Sequence, residues 1–286
     1  MKQDIVLFLK SYRKDVTCAY RLIESAVKYN KDNIPFIVSV PQEDIHLFTH
    51  IKGISVISDA SYAGKYMTNE DANGFASGYI NQEICKLAFY ETGSGDNYYC
   101  LDSDSIFIRD FYKSDFLAFD GTPYIVLVQD KDLAAAPWYG RIGERWYDSW
   151  RSHVKRIYEH VGLNDPRLRT CSGFQIMNCR VLQSLRKDFM DAHGFSYLDL
   201  IKISPWEFSW YNAWFQKSKI IPELAIEPLF KIFHTKAQYE FARIEGHTVT
   251  DIAHGYIGIV MNSNWGRGTY KNPGAWQRWL YKRASK

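Results

Sequence analysis

The chain has 286 residues, 46% of them apolar, enough for one large or two small domains with a sizeable core. Its formal net charge of +3 gives no footing for a nucleic-acid partner, and five cysteines without a C-x-x-C pair suggest neither a disulfide framework nor a zinc knuckle. Aromatic residues make up 16%, with 9 Trp and 20 Tyr, which suits surfaces that stack on flat ligand faces, or else an aromatic-rich core.

The first apolar run, Ile5 to Leu9, is too short for a signal-peptide core, and no later run approaches the ~20 residues of a membrane span. A cytoplasmic setting is expected, with membrane contact only from the surface. That run predicts a strand. The segment after it predicts a helix, because Val16, Ala19, Tyr20, Ile23, Ala26 and Val27 share one helical face. Strands are then predicted at 36–40 (FIVSV) and 54–58 (ISVIS), with a polar stretch led by Pro41 between them. A helix over GYINQEICKLAFYE precedes a fourth strand, YYCL, that ends at Asp102. This alternation predicts an α/β fold with a mostly parallel sheet, helices on both faces, and ligands at the carboxyl ends of the strands.

Later, YIVLV (124–128) and FQIMN (174–178) read as strands around a Trp- and Arg-rich helix from Trp138 to His160. SPWEFSWYNAWFQK reads as a helix and EPLFKIFH as a strand ending in His234. With no repeat and no low-complexity linker, residues 1–286 read as one continuous domain.

No G-x-G-x-x-G follows the first strand and no G-x-x-x-x-G-K-[ST] occurs, so a dinucleotide-binding Rossmann enzyme and a P-loop NTPase are disfavoured. Bound phosphates would need another counter-charge. Asp102 and Asp104, separated only by Ser103, could hold Mg²⁺ or Mn²⁺. They could equally be turn residues, or Asp102 could be the nucleophile of a haloacid-dehalogenase-like phosphatase. Ser204-Pro205-Trp206-Glu207 has the form of a capping box. Trp206, Trp210 and Trp214 recur at helical spacing, as a core stripe or, for Trp206, as a wall for a sugar. The terminal segment AWQRWLYKRASK mixes Trp276, Trp279 and Tyr281 with four basic residues, as an interfacial helix or a solvated tail would.

The segments LKSYRKD, SGYINQEICKLAF and YYCLDSDSIFIRDF together resemble the bacterial GT-A glycosyltransferases with a D-x-D motif that build capsule and cell-surface polysaccharides. Their pattern is S-Y-x-x-D, Q-x-x-x-K-L and L-D-S-D-x-x-F. The resemblance covers residues 1–110 and continues through CSGFQIMN, WEFSWY and FHTK.

The resemblance implies a GT-A fold, the Rossmann-like architecture of nucleotide-diphospho-sugar transferases, and transfer of a sugar from a nucleotide sugar to a saccharide or lipid-linked saccharide. Residues 1–110 would form the nucleotide-sugar-binding half, 111–270 the acceptor side and 271–286 a basic aromatic tail. Ser11 and Tyr12 would hold base and ribose, with Asp15 opening the next helix. Gln82 and Lys86, at i and i+4, would point at the same ligand, and Lys236 would touch the diphosphate. Asp104, Asp102 and His234 would complete the Mn²⁺ or Mg²⁺ site, His247 and His254 being reserves. Asp104 is the firmer ligand, and Asp102 could work through ribose or a metal-bound water. Glu207 would be the general base of an inverting transfer, and Ser172, Gly173, Gln175 and Trp206 would face the acceptor. A non-catalytic sugar- or nucleotide-binding protein is the remaining alternative.

Overall fold

The structure is a computed structural model that describes residues 3–129, 140–171, 173–234 and 236–261. Ser172 and the basic aromatic tail therefore lie outside the described residues.

Ten strands are described: β1 (Gln3–Lys10), β2 (Phe36–Val40), β3 (Ser55–Ser58), β4 (Gly95–Leu101), β5 (Ser105–Phe107), β6 (Ile125–Val126), β7 (Ile176–Asn178), β8 (Ala225–Ile226), β9 (Phe230–Phe233) and β10 (Gly258–Met261). The main sheet has the order β3-β2-β1-β4-β7, its first four strands parallel and β7 antiparallel to β4. Parallel strands covered on both faces need unbroken apolar runs rather than alternation. Residues 5–9 supply one, and all five are fully buried. Successive side chains point to opposite faces, so Val6 and Phe8 join one apolar cluster while Ile5, Leu7 and Leu9 join the other. β4 divides in the same way, Tyr98 and Cys100 against Tyr99 and Leu101.

The helices are α1 (Val16–Tyr29), α2 (Ile45–Phe48), α3 (Ala60–Ala63), α4 (Ser77–Ala88), α5 (Gly140–Val161), α6 (Cys179–Ser184), α7 (Tyr197–Ile203), α8 (Glu207–Ser218), α9 (Lys236–Ile244) and α10 (Val249–Ala253). α1 covers one face through Ala19, Leu22, Ile23 and Ala26, at the i, i+3, i+4, i+7 spacing of an apolar stripe. That stripe is turned slightly from the predicted one, which leaves Val27 52% exposed. α4, α5 and α8 cover the other face. No helix among the described residues is long and apolar enough to cross a membrane.

Two predicted elements differ from the structure. The run at 124–128 forms only the two-residue β6, which pairs with β8 outside the main sheet. The capping box is absent: α8 begins at Glu207, its preceding residue Trp206 makes no side-chain cap bond, and the Ser204 hydroxyl is buried without a partner among the described residues. The turn is closed instead by Trp210, whose Nε1 donates to the carbonyls of Leu200 (3.1 Å) and Ser204 (3.0 Å). A small second sheet, β5-β10-β9, lies at the end of β4 and ends beside His234.

Candidate functional site

After β1 the chain moves outward to β2 and β3, whereas β4 returns to the other side of β1. Such a reversal opens a crevice at the carboxyl ends of the two strands, where open α/β sheets bind ligands. The β1–β4 register pairs Leu9 with Leu101, so Lys10-Ser11 and Asp102-Ser103 leave the sheet side by side. The turn after β4 is fixed by Ser105, whose backbone N–H (3.2 Å) and hydroxyl (2.7 Å) both donate to the Asp102 carbonyl. The turn reading of these residues thus holds for the backbone, since both bonds go to the Asp102 carbonyl and not to a carboxylate.

Beside this turn lies a cavity of about 440 Å³. Asp102 and Asp104 reach it from the β4–β5 turn, Gln82, Glu83 and Lys86 from α4, Glu207 from the start of α8, and His234 from the end of β9. Phe75 and Tyr79, stacked at 4.6 Å between ring centroids, contribute an aromatic wall together with Trp150, Trp206 and Phe208.

The floor is an ionic network. Lys86 is 3% exposed, and its ammonium lies 2.9 Å from Glu207 Oε1 and 3.0 Å from Asp102 Oδ1. Gln82 Nε2 donates to the same Asp102 oxygen at 3.3 Å. The helix position of Lys86 is secured by Tyr98, whose hydroxyl donates to the Lys86 carbonyl at 2.6 Å. Burial disfavours the ammonium, but Asp102, Glu207 and Glu83 outweigh it and hold Lys86 charged well beyond its ordinary range. Burial likewise opposes ionisation of Glu207, yet Lys86 and a hydrogen bond from Glu83 keep it a carboxylate with a lowered pKa. Glu83, 2% exposed, is pushed well up by burial and then by the Glu207 charge, so it is the neutral acid of the pair.

Lys86 therefore does not extend freely toward a ligand beside Gln82, as the resemblance implied, but locks the Asp102 and Glu207 carboxylates in place. Glu83 was missed by sequence reasoning. Its signal was present: it lies three residues from Ile80 and four from Leu87, both fully buried, and so on the apolar face of α4. A carboxylate there is costly unless paired or neutral.

The remaining predicted residues divide clearly. Trp206 and Gly173 line the cavity, whereas Trp210 is core and Trp214 donates to Ser184 Oγ at 3.2 Å. Gly173 serves packing more than ligand approach, because a Cβ there would meet Ile232 Cδ1 at 2.4 Å. Gln175 is not an acceptor contact. Fully buried, it donates to the Val126 carbonyl (3.0 Å) and Asn212 Oδ1 (2.7 Å), and its own oxygen accepts from Val126 N and Ile176 N. It ties β6, β7 and α8 together.

Lys236 is exposed on α9, where it pairs with Glu240 at 3.6 Å rather than entering the cavity. Tyr12 and Ser11 also lie outside it, at the end of β1. There Lys10 and Asp59 form a shielded ion pair at 3.0 Å, and the buried hydroxyls of Ser11 and Ser58 have no hydrogen-bond partner among the described residues. His247 borders a different cleft, with Asp251 and Tyr256.

Carboxylate oxygens from Asp102 and Asp104 and an imidazole from His234 fit Mn²⁺ or Mg²⁺ in kind. Their backbone supports are close: the Asp104 carbonyl accepts from Met261 N at 2.9 Å, and His234 N donates to Gln238 Oε1 at 2.8 Å. Among the described residues, however, no three His, Cys, Asp or Glu groups are gathered closely enough to hold an ion. Asp102 follows the fourth strand of the sheet, and its Oδ1 is engaged by Lys86 and Gln82. Neither feature favours a phosphatase nucleophile.

Against known structures, the WbbM bifunctional glycosyltransferase in its apo form aligns with 99% of this chain at 11% identity and a TM-score of 0.51. The chain shares the mixed α/β fold of that structure, with its mostly parallel central sheet flanked by helices. The alignment spans 52% of WbbM, so the chain corresponds to about half of that protein. Mouse xyloside xylosyltransferase 1, also in apo form, aligns over 91% of this chain and 98% of that one, at 11% identity and a TM-score of 0.47. No protein-family model matches the chain, and no curated protein matches it in sequence.

Proposed function

We propose that the chain moves a sugar from a nucleoside-diphosphate donor to a saccharide or lipid-linked saccharide acceptor, with the cavity at the end of β4 as the reaction site. The observation that carries this reading is convergence. Asp102, Asp104, His234 and Glu207 come from three separate segments, yet all line one cavity beside the crevice between β1 and β4. The unpartnered Ser11 and Ser58 hydroxyls, at the ends of β1 and β3, suit the nucleoside.

Asp104 and His234 would hold Mn²⁺ or Mg²⁺, with Asp102 contributing directly or through water. Such an ion supplies positive charge opposite a departing diphosphate. Glu207 would take the proton of the acceptor hydroxyl as that oxygen forms its bond to the anomeric carbon, a geometry that inverts configuration. Lys86 keeps Glu207 ionised and ready to accept a proton, and in doing so makes it a weaker base than an isolated carboxylate. The aromatic wall offers apolar faces to a sugar ring.

The test is thermal-shift binding of nucleoside diphosphates with and without Mn²⁺, followed by a nucleotide-sugar panel scored for sugar release. Metal-dependent diphosphate affinity is expected. A protein that binds no nucleotide and turns over p-nitrophenyl phosphate refutes the reading. Glu207→Gln should retain donor affinity while kcat falls by about 10²–10⁴-fold, and a fully active variant would dismiss Glu207 as the base.

A further inference from the structure

The order of residues along α4 gives the cavity two unlike ends. Tyr79 and Lys86 stand at i and i+7 on one face of the helix, and both border the cavity. Lys86 reaches Asp102, whereas Tyr79 lies about 10 Å further back along the axis, at about 1.5 Å per residue. One end is therefore ionic and the other aromatic. The aromatic end is built on a tight turn. Asn73 (φ 54°) and Gly74 (φ 79°) take the left-handed conformation that a two-residue hairpin turn requires, and Ala72 and Phe75 exchange backbone hydrogen bonds across it at 3.0 and 2.9 Å. Asn73 Nδ2 ties the turn to the end of α7, donating to the carbonyls of Lys202 (2.5 Å) and Ile201 (3.3 Å). The Tyr79 hydroxyl donates to the Pro205 carbonyl at 3.3 Å. The stacked rings of Phe75 and Tyr79 are thus held in place from three sides without a ligand. Stacking covers one face of each ring, yet both residues are only half-buried and both border the cavity, so ring surface stays open to a ligand.

We propose that Phe75 and Tyr79 form an acceptor subsite that holds the sugar ring next to the one carrying the attacking hydroxyl, so that the acceptor is a saccharide of two or more units. The inference rests on the glycosyl-transfer reading for the order of donor and acceptor along the cavity. A donor diphosphate belongs at the ionic end, with Asp102, Asp104 and His234. The hydroxyl that Glu207 deprotonates lies near the same end, because the Glu207 carboxylate is anchored to Lys86 at 2.9 Å. The two helical turns from there to Tyr79 leave the aromatic pair to the neighbouring ring. Flat aromatic surface suits the apolar C–H face of a pyranose, and a pair already fixed in position loses little freedom when the ring docks.

Calorimetric titration of the full chain with a nucleoside diphosphate and with a panel of hexopyranosides tests this, the panel holding methyl monosaccharides, methyl disaccharides and octyl monosaccharides. At least one disaccharide should bind about tenfold more tightly than either of its component monosaccharides, a measurement that needs no variant. Phe75→Leu keeps apolar bulk but removes the flat face. It should erase the disaccharide advantage while monosaccharide and nucleoside-diphosphate affinities stay unmoved, and Phe75→Tyr should restore it. The proposal falls if no disaccharide outbinds its components, if Phe75→Leu retains the advantage, or if Phe75→Tyr binds as weakly as Phe75→Leu. Octyl glycosides that outbind every disaccharide and lose that gain in Phe75→Leu would also overturn it, marking a site for the lipid chain instead. A wild-type chain that shows the Phe75-dependent advantage but binds no nucleotide removes the glycosyl-transfer reading and keeps the subsite. One that binds nucleoside diphosphate with no preference for disaccharides does the reverse.

Discussion

Replacing Lys86 with Met tests the ionic floor of the cavity directly. The ammonium is 3% exposed and has two carboxylate partners, Glu207 with 5% of its side chain exposed and Asp102 with 35%. The half-solvated Asp102 can be rescued by water, so most of the loss falls on Glu207. Removing one partner of a buried pair costs about 3–5 kcal/mol. With an unfolding entropy of about 2.1 cal/mol/K per residue, that lowers Tm by about 5–8 °C for this chain.

The loss should depend on pH. In wild type the folded-state pKa of Glu207 lies below its ordinary value of 4.5, so its contribution is present above that value and fades as pH falls through the folded pKa. In Lys86→Met the buried Glu207 loses its cation and its pKa rises above the ordinary value, which makes its contribution favourable at low pH and unfavourable as pH rises. The difference in Tm should therefore be greatest near pH 7–8 and shrink toward pH 4. Differential scanning calorimetry across that range measures it, and adding Glu207→Gln to Lys86→Met should restore most of the stability. A Lys86→Met variant within about 1 °C of wild type at pH 7, or a double variant no more stable than the single one, would refute the reasoning.

Three further outcomes are expected. Glu83 has a raised folded pKa, so its contribution is favourable below 4.5 and is lost as pH climbs toward the folded value; Glu83→Gln should gain on wild type as pH rises, and equal urea midpoints at pH 4.5 and 8 would contradict this. Asp104→Asn should abolish the Mn²⁺ dependence of nucleoside-diphosphate binding while leaving metal-free affinity nearly intact, and unchanged metal dependence in a thermal-shift titration would remove Asp104 as a ligand. Gly173→Ala should cost about 1–3 kcal/mol through its clash with Ile232 Cδ1; Ile232→Val, which deletes that methyl, should relieve the cost in a double-mutant denaturation cycle.

The parallel core was legible because a strand covered on both faces is written as a local run: IVLFL, FIVSV and YYCL each declare themselves within a few residues, and so does the partly exposed edge strand ISVIS. β5 and β10 were not legible, since Ser105–Phe107 becomes a strand only by pairing with Gly258–Met261, a partner that no local pattern reveals. The same limit governs the site. Asp102 and Asp104 could be located from their place behind an apolar run, and Gln82 with Lys86 from helical spacing. That Lys86 would spend its charge on Glu207 depends on how α4 packs against α8. Gln175 misled for a related reason, because a glutamine at the mouth of a strand reads as polar surface until three elements close around it.

The three-stranded sheet β5-β10-β9 also sets the order in which the cavity can come into being. β10 lies between the strand that follows Asp104 and the strand that leads to His234. As the chain emerges from the ribosome, β1 to β4 can pair early, placing the carboxylates at the end of a parallel sheet that β7 later extends. The spacing between Asp104 and His234 is fixed only when Gly258–Met261 threads between their strands. Synthesis thus lays down the first four parallel strands well before the strand that sets the spacing of Asp104 and His234.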